Sequence, residues 1–159
     1  MMKTKFLSIL FLLFGVGVAA SPVTARAADF HFDFGSKSKI GAYYDERMIE
    51  AVQIAELNAR KRSNRRCWRA VKNAMLAADV LSSRPTSRYA KQAGEELEQK
   101  FGFKKIAVND PFDAPVGAVL VYGGRGAGHV EIRTPDGFVS DVISPRPSRR
   151  PLIGVYVRA

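Results

Sequence analysis

Three side chains in this sequence have the types that nucleophilic attack on a carbonyl group requires: Cys67, His129 and Asp141. A thiolate is a strong nucleophile, and a histidine beside a carboxylate is a general base held in one tautomer. Cys67 is the one cysteine of the chain, so an internal disulfide is excluded. Composition alone leaves this thiol either buried and inert, paired with another molecule, or reactive.

The position of Cys67 favours the reactive alternative. Apolar residues at spacings of three and four predict a helix over residues 67–81, after a break at 63–66. Cys67 then lies in the first turn, where the helix dipole and free backbone N–H groups favour the thiolate. The apolar stripe of this helix begins later, at Val71, which argues against a core role for the thiol. Trp68 is a candidate substrate contact, with packing as the alternative.

His129 belongs to a predicted antiparallel β-meander. Its middle strand alternates polar and apolar residues, which places His129, Glu131 and Arg133 on one face. Glu131 could therefore contact a cationic substrate group or compete for the histidine. The turns fix the register, so Asp141 on the next strand is expected to orient the imidazole; the alternative is that it neutralises nearby arginines. The predicted strands of the meander are 116–122, 129–133 and 138–142.

Helical periodicity also covers two further segments, and a final apolar alternation predicts one more strand. The fold class is therefore α+β, with N-terminal helices, one of them bearing Cys67, packed on a C-terminal antiparallel sheet. The two additional predicted helices are 45–62 and 86–100, residues 103–115 are predicted to be an extended connection, and the last strand is 152–158.

The N-terminal segment is predicted to be a targeting signal. Lys3 and Lys5 precede an apolar run over residues 6–20, and Ala-Arg-Ala at 25–27 is an Ala-x-Ala cleavage signal, with Val-Ala-Ala at 18–20 as a second option. The run is short for a membrane span, so cleavage is favoured over an uncleaved anchor, with no stable membrane span afterwards. The predicted organisation is a signal peptide at 1–27, an arm at 28–42 and one domain at 43–159. The chain is expected to be exported to the periplasm, the cell wall or the medium.

The formal charge of the chain is +10, and removing 1–27 takes away three basic residues and no acidic one, leaving a charge near +7. An exported basic protein first meets anionic polymers, such as cell wall and lipid head groups, so nucleic acid is not expected as a partner. The alternative is that the charge only maintains solubility. His31 has no second cluster of metal ligands beside it, so neither a metal nor a cofactor is predicted.

Three local motifs give the sequence a resemblance to the NlpC-type and CHAP-type cell-wall cysteine peptidases, which have a papain-like fold. Cys-Trp-Arg-Ala-Val at 67–71 resembles the start of the cysteine-bearing helix. Pro-Val-Gly-Ala-Val-Leu-Val-Tyr at 115–122 resembles the strand before the catalytic histidine, and Gly-His-Val-Glu-Ile at 128–132 resembles the histidine strand itself. In the NlpC-type pattern a third polar residue follows the histidine by about twelve positions, where this chain has Asp141.

The resemblance implies acyl transfer on an amide of peptidoglycan peptides, by endopeptidase or amidase cleavage. Cys67 would attack the carbonyl, His129 would move the proton, Asp141 would fix the imidazole, and the Cys67 backbone N–H would contribute to an oxyanion hole. The sequence departs from the family around the nucleophile, where Arg66 and Trp68 replace the usual Asp and Ser, and at Ala118, where an acid is usual. Three alternatives stay open: a non-catalytic wall-binding protein, a secreted wall-degrading toxin, and an acyltransferase.

Overall fold

The structure, a computed structural model, describes residues 45–158 of the chain. The predicted signal peptide at 1–27 and the arm at 28–42, with His31, lie outside the described residues. The described part contains the helices α1 (Arg47–Asn58), α2 (Cys67–Ala77) and α3 (Ala93–Phe101). Its strands are β1 (Phe103–Ile106), β2 (Val119–Tyr122), β3 (His129–Thr134), β4 (Gly137–Val139), β5 (Ile143–Ser144) and β6 (Leu152–Arg158).

The six strands form one antiparallel sheet in the order β1-β6-β2-β3-β4-β5. The helices cover one face, where Val121, Val130 and Ile132 join the buried residues of α1, α2 and α3 in the larger core. Leu120, Tyr122 and Phe138 belong to a smaller apolar cluster on the other face. The alternation of β2 and β3 therefore follows the period of two expected for strands that are covered on both sides. The predicted α+β class and the antiparallel sheet are confirmed.

Two predicted helices end earlier than their apolar periodicity suggests. α1 stops at Asn58, because Ala59 is extended (ψ 145°) and the backbone N–H of Arg60 donates to the Asp141 carbonyl at 2.9 Å. α2 stops at Ala77, because Asp79 adopts a left-handed conformation (φ 52°) and the Val80 N–H returns to the Met75 carbonyl at 2.9 Å. This is the hydrogen-bond pattern of a Schellman ending.

The third predicted helix begins later than expected, because buried charges use the backbone of residues 85–87. The Lys72 ammonium donates to the carbonyls of Pro85 and Ser87, each at 2.7 Å. The Glu96 carboxylate accepts from the N–H groups of Thr86 and Ser87, at 2.7 and 2.9 Å. These groups are then unavailable to a helix, so a short 3-10 turn at Ala90–Gln92 and α3 follow instead.

Two strands occur where loops are predicted. β1 lies in the expected extended connection and pairs with β6, and β5 lies in the Pro-rich segment and pairs with β4. Each occupies one edge of the sheet. Short edge strands carry little periodicity of their own, so pattern reading misses them.

Candidate active site

Cys67 is the first residue of α2 and is half-buried against the larger core. The backbone groups of Val130 and Trp68 lower the pKa of its thiol. β4 pairs with β3 only over Ile132–Thr134, so the first half of β3 has no strand on that side among the described residues. The start of α2 lies beside this unpaired part of β3. The thiol therefore lies at the N-terminus of a helix, as the sequence predicts.

The Cys67 thiol and the His129 imidazole lie close enough for each to shift the pKa of the other. Burial raises the pKa of Cys67, but the hydrogen bond to His129, the charge of its ring and the two backbone groups outweigh it, so the pKa is lowered. Burial lowers the pKa of His129, but Cys67 and Glu131 outweigh it and raise that pKa to about 9. Both shifts favour a thiolate–imidazolium pair, which is the nucleophilic form.

Glu131 is the carboxylate that orients the imidazole. His129 Nε2 lies 3.1 Å from Glu131 Oε2. An ionised carboxylate only accepts, so Nε2 must carry the proton, and Nδ1 is left as the nitrogen that can exchange a proton with the Cys67 sulfur. The other oxygen of Glu131 accepts from the Tyr122 hydroxyl at 2.7 Å and from the Ser148 N–H at 3.1 Å. Glu131 is thus held on three sides.

The strand register explains why these groups meet. Tyr122 pairs with His129 across β2 and β3, and Leu120 pairs with Glu131, so the tyrosine reaches the carboxylate diagonally. Tyr122 is fully buried, and burial together with the hydrogen bond and charge of Glu131 raises the pKa of its hydroxyl. The hydroxyl therefore stays protonated and donates to Glu131 throughout the physiological range of pH.

Gly128 lets the chain enter β3 at the required angle. Its φ is +75°, and a Cβ at this position would lie 2.5 Å from the Tyr122 carbonyl oxygen and 2.7 Å from the Lys91 Cβ. Both the left-handed backbone and the close approach exclude a side chain here. The Lys91 N–H donates to the Ala127 carbonyl at 3.0 Å, which fixes the preceding turn.

The prediction that Asp141 orients His129 is corrected. β4 ends at Val139, and the Ser140 N–H donates to the Val142 carbonyl at 2.9 Å, so Asp141 lies in a turn and not on a paired strand. Its Oδ2 accepts from the Ser63 hydroxyl at 2.7 Å and from the Asn64 N–H at 2.8 Å, and its Oδ1 from the Ser140 hydroxyl at 3.3 Å. The carboxylate bonds to the loop that leads into Cys67, and not to the imidazole.

That loop contains backbone strain immediately before the nucleophile. Arg65 has a φ of 61°, and its N–H donates to the Ser63 hydroxyl at 3.1 Å. The left-handed conformation costs a residue with a side chain about 1–2 kcal/mol. The hydrogen bonds of Asp141 to Ser63 and Asn64 over-determine the loop and offset this cost. Asp141 is therefore a positioning residue for the start of α2.

The two predicted substrate contacts are both occupied by the protein itself. Glu131 is 3% exposed and has the three partners given above, so it offers no free oxygen to a substrate. Trp68 is 4% exposed; its indole N–H donates to the Ser87 hydroxyl at 2.9 Å, and the Lys72 ammonium lies 4.8 Å from its ring centroid. Trp68 is thus a packing residue, as its alternative reading stated.

The sequence did not predict three features of the site. These are the orienting role of Glu131 and the two hydrogen bonds that Glu131 accepts, from the Tyr122 hydroxyl and from the Ser148 N–H. The signal for Glu131 was available, because residues two apart on a strand share a face. Ser148 lies in a loop, and no local pattern links it to Glu131.

Neither a metal site nor a membrane span is found in the part of the chain that the structure describes. Among residues 45–158, no three His, Cys, Asp or Glu side chains are grouped so that they could hold a metal ion. No helix in the same range combines the length and the apolar composition that crossing a membrane requires.

Comparison with known proteins gives a similar fold and nothing more specific. No protein-family model matches the sequence, and no curated protein matches it. A chain in the crystal structure of the type VI native effector–immunity complex Tae3–Tai3 from Ralstonia pickettii is similar in structure, with a TM-score of 0.57 and 24% identity. The match covers 70% of this chain and 98% of that chain. At this identity the similarity bears on the fold alone.

Proposed function

We propose that this chain is an exported cysteine hydrolase that cleaves amide bonds in the peptides of peptidoglycan. The observation that supports the proposal is that Cys67 at the start of α2 and His129 shift the pKa of each other, while Glu131 lies 3.1 Å from His129 Nε2. This group supplies the three functions that acyl transfer requires, namely a nucleophile, a base and an orienting carboxylate. Cys67 precedes His129 along the chain, as in the papain-like peptidases that the sequence resembles, but Glu131 lies on the histidine strand itself and not about twelve residues later.

The chemistry follows from the protonation states. The Cys67 thiolate attacks the amide carbonyl, and the tetrahedral oxyanion is stabilised by backbone N–H groups at the start of α2. The His129 imidazolium then gives its Nδ1 proton to the leaving amine, the C–N bond breaks, and a thioester remains on Cys67. A water molecule, deprotonated by His129, hydrolyses the thioester and restores the thiol. Glu131 holds Nε2–H during both proton transfers.

The charge of the chain fits this substrate. The predicted mature chain is basic, and the peptides of peptidoglycan carry carboxylates, so long-range attraction would concentrate the protein on the wall. A non-catalytic binding protein would share the attraction, but it would not need an activated thiol. The lowered pKa of Cys67 and the raised pKa of His129 therefore favour the hydrolase.

The direct test is turnover of purified peptidoglycan by the full chain, with products separated and identified by mass spectrometry. We expect new amino groups and new carboxylates in equal amounts, and their loss in Cys67→Ala. Glu98→Gln, an exposed substitution on α3, serves as the folded control that retains activity. Products that join two peptides would indicate an acyltransferase. Sedimentation with the wall without any turnover would indicate the binding protein.

A second candidate is an effector that degrades the wall of another cell and is neutralised by an immunity protein. The observation that favours it is the fold similarity to a chain of an effector–immunity complex. The two candidates share the chemistry and differ in the partner. Export of the chain to the periplasm of a test bacterium should cause lysis that requires Cys67, and a dedicated protein that binds the chain tightly and abolishes lysis would establish the effector.

A further inference from the structure

A groove of about 490 Å³ lies between α1 and α2, beside the first turn that carries Cys67. Its volume falls in the range of about 300–1,000 Å³ that small-ligand and peptide sites occupy. Cys67 and His129 do not line it, so it is separate from the reacting groups. Its polar rim consists of Asn58, Arg60, Asn64, Arg66, Arg69 and Asn73.

The groove is positively charged. Arg60, Arg66 and Arg69 are exposed, and within residues 45–158 none of their guanidinium groups forms a salt bridge or a hydrogen bond with another residue. Asp141 is the one acidic residue in the lining, and the hydrogen bonds to Ser63 and Asn64 occupy its Oδ2. The lining therefore carries three guanidinium groups against one carboxylate, and this excess of positive charge suits an anionic ligand.

The position of the groove links it to the thiol. Arg69 and Asn73 are four residues apart and share one face of α2, and Arg66 directly precedes Cys67, the first residue of that helix. The groove is therefore lined by the residue that immediately precedes the nucleophile in the chain.

From these observations we infer that the groove binds a carboxylate-bearing arm of the peptide whose neighbouring amide Cys67 attacks. This inference rests on the proposed function and adds a specificity-determining subsite to it. Arg binds carboxylates in a bidentate manner, and the enclosed volume fits a peptide arm better than a protein surface, which usually requires about 800 Å² of flatter contact per partner. Asn58 Oδ1 can accept from an amide of the same arm and the Asn73 NH₂ can donate to one, since the Asn58 NH₂ already bonds to the Ile54 carbonyl and Asn73 Oδ1 to Arg84.

The test uses binding so that it does not depend on turnover. The full chain with Cys67→Ala is titrated by calorimetry with the peptidoglycan stem tetrapeptide, and with the same peptide after amidation of its carboxylates. We expect the free carboxylates to tighten binding about 10- to 100-fold, the range of one or two hydrogen bonds to charged groups. The preference should fall as salt is added.

Variants locate the effect. Arg60→Gln with Arg69→Gln in the Cys67→Ala chain should remove the preference, because both side chains lack partners in the described residues and their loss should leave the fold intact. Arg69→Lys should restore part of the affinity, since it keeps the charge but not the bidentate geometry. Lys104→Gln on β1, at the sheet edge opposite β5, is the matched control and should change nothing.

Equal binding of the two peptides, or an effect of Lys104→Gln as large as that of the arginine pair, would overturn the inference. It would also be overturned if the arginine pair abolished binding of an acidic protein partner but left the stem peptide unaffected. Selective carboxylate binding in a chain that never hydrolyses peptidoglycan would refute the proposed function and retain the groove. If the chain that retains Cys67 hydrolyses amidated and free peptides equally well, with or without the Arg60→Gln and Arg69→Gln substitutions, the proposed function stands and the groove inference is refuted.

Discussion

Two buried carboxylates near Cys67 have almost the same exposure and opposite tasks. Glu131 is 3% exposed and Asp141 is 5% exposed. Glu131 turns one oxygen to a titratable ring at 3.1 Å, whereas Asp141 accepts from the Ser63 hydroxyl and from backbone N–H groups of the loop before α2. Burial and the presence of a carboxylate do not show whether a side chain orients the imidazole or stabilises the loop. Its hydrogen-bond partners distinguish the two roles.

The largest effect is expected from Glu131→Gln. The glutamine oxygen can still accept from Tyr122 and Ser148, but its NH₂ group would face His129 Nε2 and favour the tautomer with the proton on Nδ1. That nitrogen could then no longer take the thiol proton. We expect peptidoglycan turnover to fall by about 10²- to 10⁴-fold, the usual contribution of general acid–base catalysis.

Asp141→Asn is the matched control for that experiment, since it makes the same chemical change in the other region. It should reduce turnover by less than about tenfold, because Asn can still accept one hydrogen bond from the loop. Equal losses of turnover in the two variants would contradict the division of tasks.

The second-largest expected effect is a loss of stability on substitution of Asp141. Asp141→Ala removes the acceptor of the Asn64 N–H, whereas the Arg66 N–H keeps the Asn64 Oδ1, and a hydrogen bond to a charged group is worth about 1.5–3 kcal/mol. We expect the free energy of unfolding in urea to fall by this amount. Hydrogen exchange should show faster exchange at Asn64 and at the start of α2. Unchanged exchange at these amides would mean that the loop does not depend on Asp141.

A smaller effect is expected from Tyr122→Phe, which removes the hydroxyl but preserves the ring that packs beside Leu120. Glu131 keeps His129 and the Ser148 N–H, so its orientation should persist. One hydrogen bond to a charged group is worth about 1.5–3 kcal/mol, partly offset by the apolar packing of the ring. We expect lower thermal stability and turnover within about tenfold of the parent. A loss as large as that of Glu131→Gln would make the tyrosine a participant in the chemistry.

The smallest expected effect is on the stability of the protein at acidic pH. Burial raises the pKa of Asp141, but the hydrogen bonds from Ser63, Asn64 and Arg66 outweigh it and hold that pKa below the ordinary value of 3.8. A carboxyl whose pKa is lowered by folding stabilises the protein above its unfolded pKa, and this stability is lost as the pH falls through the folded value. Urea unfolding between neutral pH and pH 3 should therefore show a decline that is shallower in Asp141→Asn. Parallel curves would contradict this linkage.

The elements around the site could largely be predicted from the sequence, because they carry strong periodicity. The start of α2 at Cys67, the strand that begins at His129 and the shared face of His129 and Glu131 are all local patterns. The carboxylate assignment failed for a tertiary reason. A spacing of about twelve residues locates Asp141 correctly only if β4 continues through it, and the turn closed by Ser140 and Val142 ends the strand first.

The other errors have the same origin. α3 starts late because Lys72 and Glu96, distant in sequence, take the backbone groups of residues 85–87. The Ser148 amide reaches Glu131 from a loop 17 residues away. Such contacts depend on the packed fold, and no local propensity encodes them.

The most direct test of the division of tasks is the pH dependence of Cys67 alkylation by iodoacetamide, followed by mass spectrometry of the intact chain. In the parent chain the thiol should react well below the free-cysteine pKa of about 8.5, because the imidazolium stabilises the thiolate. Glu131→Gln should move the midpoint of the alkylation profile to higher pH, because the imidazolium loses its carboxylate. The imidazolium then offsets less of the rise that burial causes in the pKa of the Cys67 thiol. Asp141→Asn should leave it in place. A Glu131→Gln profile that overlays the parent, or an equal shift in Asp141→Asn, would contradict the assignment of Glu131 to the imidazole.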